Sequence, residues 1–254
     1  MGKLAGRKAV ITGGGSGIGL EIAARFLKEG ADVLIAGRTL EKLYDAREKL
    51  QCDNDRVICC KADIAVEQDV LGMFKTAMEK WERVDILVNN AAAMRNNKPL
   101  TETSVDEWSS VIHTNINGTF ICCREAAKIM KSQQFGRIIS ISSMSGYIAN
   151  KYFHAGSYEV SKSAIGMLTK VFALELADAN IAVNAIAPGF YDTQPNRDFF
   201  LNNVVLSKKI NDLIPKGKLG NIEELGNLAA YLAGDSVEYL TGQTIVIDGG
   251  YTIW

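Results

Sequence analysis

Apolar and polar positions follow two periods along this chain. Short runs rich in Val, Ile and Leu recur between longer stretches whose apolar residues fall three and four apart. The runs at 8–12, 31–36, 56–60, 84–88, 137–142, 181–186 and 244–247 read as strands. Helical spacing first appears at 20–27, closed by Gly30, and recurs at roughly 39–51, 66–81, 104–131, 157–178 and 221–233. Nearly continuous apolar strands that alternate with helices predict an α/β fold, a parallel sheet with helices on both faces. No repeat, low-complexity tract or Pro/Gly/Ser linker interrupts the pattern, so residues 1–254 are expected to form a single domain. Most connections are short. The exception is 188–218, where periodicity weakens; it follows the C-terminal end of a strand, where open sheets bind ligands, and is expected to be a substrate lid.

Composition adds limits. A chain of 254 residues with 47% hydrophobic content can bury one sizeable core. A net charge of −1 gives no electrostatic reason to expect nucleic acid or an anionic membrane as partner. No basic-apolar leader opens the chain and no apolar run approaches the ~20 residues of a membrane span, so a cytoplasmic protein is expected. The five cysteines show no Cys-x-x-Cys spacing and fall in apolar or helical runs, which suggests small buried hydrophobes. With two histidines and no paired Cys/His spacing, no metal is expected.

Candidate chemistry begins with Tyr158 and Lys162. Four apart on a helix, they share one face, one turn from each other. A free tyrosine titrates near 10, and an ammonium beside it favours the phenolate, bringing the phenol toward acid/base work near neutrality. At the N-terminus, the first predicted strand runs into Gly13-Gly14-Gly15-Ser16-Gly17-Ile18-Gly19 and then a helix. A strand, a glycine turn and a helix make a dinucleotide-binding start, in which N–H groups at the helix N-terminus meet a pyrophosphate. The second strand ends in Gly37-Arg38, where an NAD site places a carboxylate on the adenosine ribose. A glycine in the acidic slot and a guanidinium beside it point to a 2′-phosphate, hence NADP(H) over NAD(H).

With both ends of a site in hand, the sequence resembles the short-chain dehydrogenase/reductase family over essentially its whole length. Thr12 through Gly19 is similar to the family's Thr-Gly-x-x-x-Gly-x-Gly motif, with Gly13, Ser16, Gly17 and Ile18 between its ends. Asp63-Ile64 resembles the pair that holds the adenine ring. Asn89-Asn90-Ala91-Ala92 is similar to Asn-Asn-Ala-Gly, with Ala92 in place of the glycine. Asn115 and Ser143 match the active-site asparagine and serine. The run Pro188-Gly189 through Tyr191 to Thr193 resembles the Pro-Gly-x-x-x-Thr segment lining the nicotinamide, and Thr241-Gly242-Gln243 with Asp248-Gly249-Gly250 resembles the C-terminal strand and its flanks. Within the family the style is similar to 3-oxoacyl-thioester reductases and gluconate 5-dehydrogenase-like members.

The resemblance implies a Rossmann-type doubly wound sheet and hydride transfer between nicotinamide and a carbonyl or secondary alcohol. Tyr158 would be the acid/base, and Lys162 would lower its pKa and bond the nicotinamide ribose. Ser143 would meet the carbonyl oxygen, with Ser142 and Ser145 as competing assignments. Asn115 would hold a water linking Lys162 to solvent. The cofactor contacts would come from Thr12, Gly13, Ser16, Gly17, Ile18, Gly19, Arg38, Asp63, Ile64, Asn90, Ala91, Tyr158, Lys162, Pro188, Gly189, Tyr191 and Thr193. Tyr152, Phe153 or His154 either touches substrate or lies in an exposed loop. Arg95 and Lys98 either meet an anionic substrate or are exposed cations. Helices 104–131 and 157–178 would pack on a partner's copies in a homotetramer, with a dimer as fallback. The alternative class is a non-catalytic NADP-binding sensor; all four of Asn115, Ser143, Tyr158 and Lys162 favour an enzyme.

Overall fold

The computed structural model describes residues 2–94, 98–152 and 155–253. Its strands are β1 (Lys8–Thr12), β2 (Asp32–Gly37), β3 (Val57–Lys61), β4 (Ile86–Asn89), β5 (Gly136–Ile141), β6 (Ile181–Pro188) and β7 (Thr244–Ile247). They form one parallel sheet in the order β3-β2-β1-β4-β5-β6-β7. The helices are α1 (Gly17–Lys28), α2 (Leu40–Lys49), α3 (Glu67–Trp81), α4 (Val105–Ile112), α5 (Thr119–Gln133), α6 (Gly156–Leu176), α7 (Gln194–Asn202), α8 (Val204–Asp212) and α9 (Ile222–Leu232). This is the doubly wound α/β architecture that the alternation of periods predicts.

Adjacent strand residues feed opposite faces, as a pleated strand requires. Ile11, Ile35, Ile139 and Ile186 pack with Ile22 and Phe26 of α1 and with Leu225 and Ala229 of α9. Their neighbours Val10, Leu34, Leu87, Ile138 and Val183 pack with Phe74 of α3, Cys122 and Ala126 of α5 and Phe172 of α6. The inner strands β4, β5 and β6 are buried throughout, whereas the edge strand β7 is half-buried. Cys122 and Cys123 belong to the core, and burial pushes both thiols up, Cys123 to about 12. Cys52, Cys59 and Cys60 are half-buried and unbridged.

Two segments depart from the expected pattern. The stretch 104–131 is not one regular helix: α4, closed at its start by the Ser104–Glu107 capping box, gives way to a π-helical turn over His113–Gly118 before α5. A π turn carries an extra residue and re-aims the side chains it contains; here it buries Asn115, which is 1% exposed. The stretch 188–218 is not a loop either. It folds into α7 and α8, and Ile210 and Ile214 pack with Met144 and Tyr251 in a third apolar cluster. Helices of this length bury so few residues each that their period is faint in the sequence. Arg95, Phe153, His154 and Trp254 lie outside the described residues.

Candidate active site

The strand order reverses direction between β1 and β4, and the crevice at their carboxyl ends is where such sheets bind ligands. Its walls meet closely. Gly13 has a left-handed φ of 65°, and a Cβ there would lie 2.7 Å from Asn90 Nδ2. A Cβ at Gly19 would lie 2.3 Å from the Gly13 carbonyl oxygen, so only glycine lets α1 start this near the turn. Asn90 Nδ2 donates to the carbonyls of Thr12 (3.1 Å) and Gly13 (3.0 Å). Thr12 Oγ1 accepts from the N–H groups of Asn90 and Ala91, both at 3.1 Å, and donates to Val88 O at 3.4 Å.

Above this stitch lies a cleft of about 290 Å³. Gly13, Ser16, Arg38, Asp63, Ile64 and Ala91 line it, as the motifs imply. Gly37, Ala92, Ala93 and Thr114 line it too. Thr114 carried no motif of its own; its place directly before Asn115, on the π turn, is the signal that could have found it. Ser16 makes no side-chain hydrogen bond as N-cap of α1, so the first N–H groups of that helix are open to an anion at the cleft. That cradle fits a dinucleotide pyrophosphate. Arg38 is exposed and pairs with no carboxylate among the described residues. A Cβ at Gly37 would make only ordinary contact, with Leu43 Cδ2 at 3.4 Å, so an acidic side chain would fit there sterically.

The second half of the site is built on β5 and α6. Ser143 follows β5 near enough to Tyr158 for its hydroxyl to favour the phenolate, and its Oγ accepts from Ser145 N at 3.1 Å. The turn beyond it lies against α6 because residue 146 is glycine: a Cβ there would come within 2.8 Å of the Lys162 backbone. The rival serines are engaged elsewhere. Ser142 Oγ donates to Lys162 O at 2.7 Å, and Ser145 Oγ accepts from Asn150 Nδ2 at 3.1 Å. Lys162 is buried; its Nζ donates to Ile141 O at 2.6 Å and stands 5.5 Å from the centre of the Tyr158 ring. Asn115 Oδ1 accepts from Ala93 N at 2.7 Å, and its Nδ2 donates to Ala93 O (3.0 Å) and Ser161 Oγ (2.9 Å). Ser161 Oγ in turn donates to Tyr158 O at 2.7 Å. One buried amide thus links the cleft rim to the helix that carries the tyrosine.

Several expectations need correction. Thr12 is fully buried, so its side chain joins strands and cannot touch a cofactor. The Asn90 side chain does the same work, and Ile18 packs against the core. Tyr191 is also core, its hydroxyl donating to Ile247 O at 3.1 Å and its ring against Gly220. Pro188 is the buried last residue of β6, and Gly189, whose Cβ would lie 2.6 Å from Asp248 Cα, and the half-buried Thr193 continue the chain from it. Lys98 is not free for an anionic substrate, because its ammonium bonds both carboxylate oxygens of Glu107 at 3.2 and 3.0 Å. The Asn115 amide bonds Ala93 and Ser161 on both its oxygen and its nitrogen, which gives that side chain a positioning role. The direction of the Tyr158 shift differs as well. Burial raises its pKa, offset in part by the Ser143 hydroxyl, since the Lys162 ammonium is turned to Ile141.

A doubly wound sheet with a glycine-cradled crevice beside a serine, a tyrosine and a buried lysine defines a dinucleotide-dependent oxidoreductase. The chain belongs to the short-chain dehydrogenase/reductase family: the family model described as enoyl-(acyl carrier protein) reductase matches residues 13–252. It is 36% identical to 3β-hydroxysteroid dehydrogenase 1 of Eggerthella lenta, covering 99% of this chain and 95% of that protein. It is also 36% identical to a 3-oxoacyl-acyl-carrier-protein reductase of Chlamydia pneumoniae, covering 98% of each. Among solved structures, a candidate gluconate dehydrogenase from Agrobacterium tumefaciens superimposes with a TM-score of 0.92 at 31% identity, over 98% of this chain and 96% of that one. The protein is therefore an oxidoreductase acting on CH–OH or C=O groups of small molecules with a nicotinamide cofactor. No helix among the described residues is long and apolar enough to cross a membrane.

The buried lysine carries a measurable cost. Burial moves Lys162 from its ordinary 10.5 to about 8, a displacement worth on the order of 3 kcal/mol against the charged folded state. Between those two values the unfolded chain binds the proton and the folded one does not, so stability rises with pH across that window. The penalty is fully present below about 8. Melting curves without cofactor should show this rise in the wild type and lose it in Lys162→Met, which should also melt higher at neutral pH. Identical pH slopes for the two proteins would contradict the assignment.

Proposed function

We propose that this protein is an NADP(H)-dependent carbonyl reductase, reversible as a secondary-alcohol dehydrogenase, acting on a 3-oxoacyl thioester, a keto-sugar acid or a similar small ketone. The observation that carries the reading is the Ser143 hydroxyl set beside the buried Tyr158 phenol, with the Lys162 ammonium buried one turn along α6. The bound nicotinamide supplies the hydride for reduction and accepts it for oxidation. Gly13, Ser16 and the N–H groups opening α1 would hold its pyrophosphate, Asp63 and Ile64 its adenine end, and Arg38 its 2′-phosphate.

The chain's own residues handle the proton and the charge. The Ser143 hydroxyl donates to the carbonyl oxygen as negative charge develops, and the Tyr158 phenol delivers the proton that completes the alcohol. Once Tyr158 is a phenolate, the Lys162 ammonium, 5.5 Å from the centre of its ring, swings from Ile141 O to meet the charge, and reprotonation through Lys162 resets the site. The lowered Lys162 pKa suits that work, because its proton is held loosely near neutrality. Asn115 positions Ala93 against Ser161 and so fixes α6 relative to the cleft. The chain acts as one domain, with the 188–218 segment, including α7 and α8, as the lid over the reacting carbonyl. A cytoplasmic setting fits five cysteines that form no disulfide.

A homotetramer is part of the same proposal. Along the outer face of α6, Val160, Met167, Val171 and Leu174 are exposed, Leu174 at 83%, with Phe120 of α5 beside them. An apolar row on two packed helices is costly in water and suits a symmetric partner.

Three measurements test these readings. Tyr158→Phe keeps the ring and removes the donor, so turnover should fall at least ~10²-fold with cofactor binding retained; near-normal kcat would sink the mechanism. A charge-assisted bidentate contact is worth about 1.5–3 kcal/mol, or roughly ten- to a hundredfold. NADP(H) should lead NAD(H) by that factor in kcat/KM at low salt, Arg38→Ala should erase most of the lead, and Gly37→Asp should reverse it. A wild-type preference for NADH would show that Arg38 points to solvent. Light scattering should give a tetramer at micromolar concentration that Met167→Glu with Leu174→Glu dissociates. A wild-type monomer would remove assembly from the account.

A further inference from the structure

A second hollow lies apart from the cofactor cleft, where α7 and α8 meet the chain between Ser143 and α6. It measures about 470 Å³ and is lined by Tyr152, Asn202, Asn203, Val204, Leu206 and Lys209, with Val205 beside them. Two features give it a chemical character. One is charge. The Lys209 ammonium stands 5.6 Å from the centre of the Tyr152 ring, and the Lys151 ammonium also stands 5.6 Å from it. Among the described residues no carboxylate lines the hollow. Of the acids in the flanking segments, Asp192 bonds Arg197, Asp198 accepts from Gln194 and Glu159 accepts from Asn150. Asp212, exposed at the end of α8, forms no ion pair with Lys209. Among the described residues neither lysine pairs with an acid, so a cation–π contact is their partner. Such contacts are weak at exposed sites, and both ammoniums can turn to a stronger one.

The second feature is the floor. Leu206 lines the hollow and packs with Met144, Ile148, Phe190 and Ile210, and Met144 directly follows Ser143. An apolar path therefore runs from the catalytic serine to a cationic rim.

From this arrangement we infer that the hollow is the subsite for an anionic end of the substrate: the ketone carries a carboxylate or phosphate beyond an apolar body, held between Lys151 and Lys209. The inference rests on the carbonyl chemistry proposed above. Two ammonium groups on one rim attract an oxyanion by charge-assisted hydrogen bonds, whereas a neutral tail would gain only contact with Val204 and Leu206.

Matched substrates test it. Methyl-ketone carboxylic acids of graded length are compared with their methyl esters, and dihydroxyacetone phosphate with dihydroxyacetone, each by kcat/KM at low salt. At least one acid or the phosphate should exceed its neutral partner by ~10-fold or more, the size of one charge-assisted hydrogen bond. The ratio should shrink as salt is added. The two chemistries separate by which pair shows it. Lys151→Gln with Lys209→Gln should bring the ratio near one, and Lys151→Arg with Lys209→Arg should keep it. A ratio near one in the wild type, or one that survives the glutamine pair, overturns the subsite even if neutral ketones are reduced. Calorimetry with the same acids and phosphate on the NADP+ complex, which cannot reduce a ketone, reads binding without turnover. Binding lost in the glutamine pair supports the subsite, even should no ketone react and the proposed activity fail; binding by none of them overturns it.

Discussion

The hydrogen bonds from Asn90 to the carbonyls of Thr12 and Gly13 join the two strands between which the chain reverses its direction of winding. Strands β1 and β4 share only the register Ala9 with Ile86, Val10 with Leu87 and Ile11 with Val88. Beyond Val88 the ladder ends and side chains take over: the Asn90 amide on one side, the Thr12 hydroxyl on the other. Without that stitch the glycine turn and the loop after β4 would part, leaving buried carbonyls unpaired at about 1–3 kcal/mol each. The open N-terminus of α1 and the rim at Ala93 both hang from it.

The proton-handling groups depend on a second tie. The π turn sends Asn115 inward to bond Ala93 and Ser161, and Ser161 bonds the tyrosine's own carbonyl. Gly146 lets the Ser143 turn lie against the backbone of α6. Between them, these contacts place a hydroxyl, a phenol and an ammonium in one buried corner. There, desolvation raises the tyrosine and lowers the lysine. Each shift moves its group toward the neutral form, as burial requires of a phenol and an ammonium alike.

The sequence was most legible where one local pattern has one structural solution. Each predicted strand is present with small shifts at its ends, because a fully buried parallel strand must be apolar throughout. The glycine turn was legible because Gly13 and Gly19 sit where any Cβ would collide. Reading failed where side chains change partners in space. Thr12 and Tyr191 belong to motifs around the cofactor, yet both are consumed by the core. The apolar spacing of 104–131 continues through the π turn and hides it, and the two lid helices bury too little surface to mark their period.

Residue identity alone therefore determined the alternation of elements, the glycine cradle, the Tyr158–Lys162 spacing and the family, since these depend on local sterics and on short sequence separations. Tertiary structure decided which serine meets the tyrosine. It also turned the Lys162 ammonium to Ile141, paired Lys98 with Glu107, and left Lys151 and Lys209 against Tyr152 with no carboxylate partner among the described residues. Those outcomes depend on which groups from distant segments arrive within hydrogen-bonding distance and which are shut off from water, and neither is set by spacing along the chain.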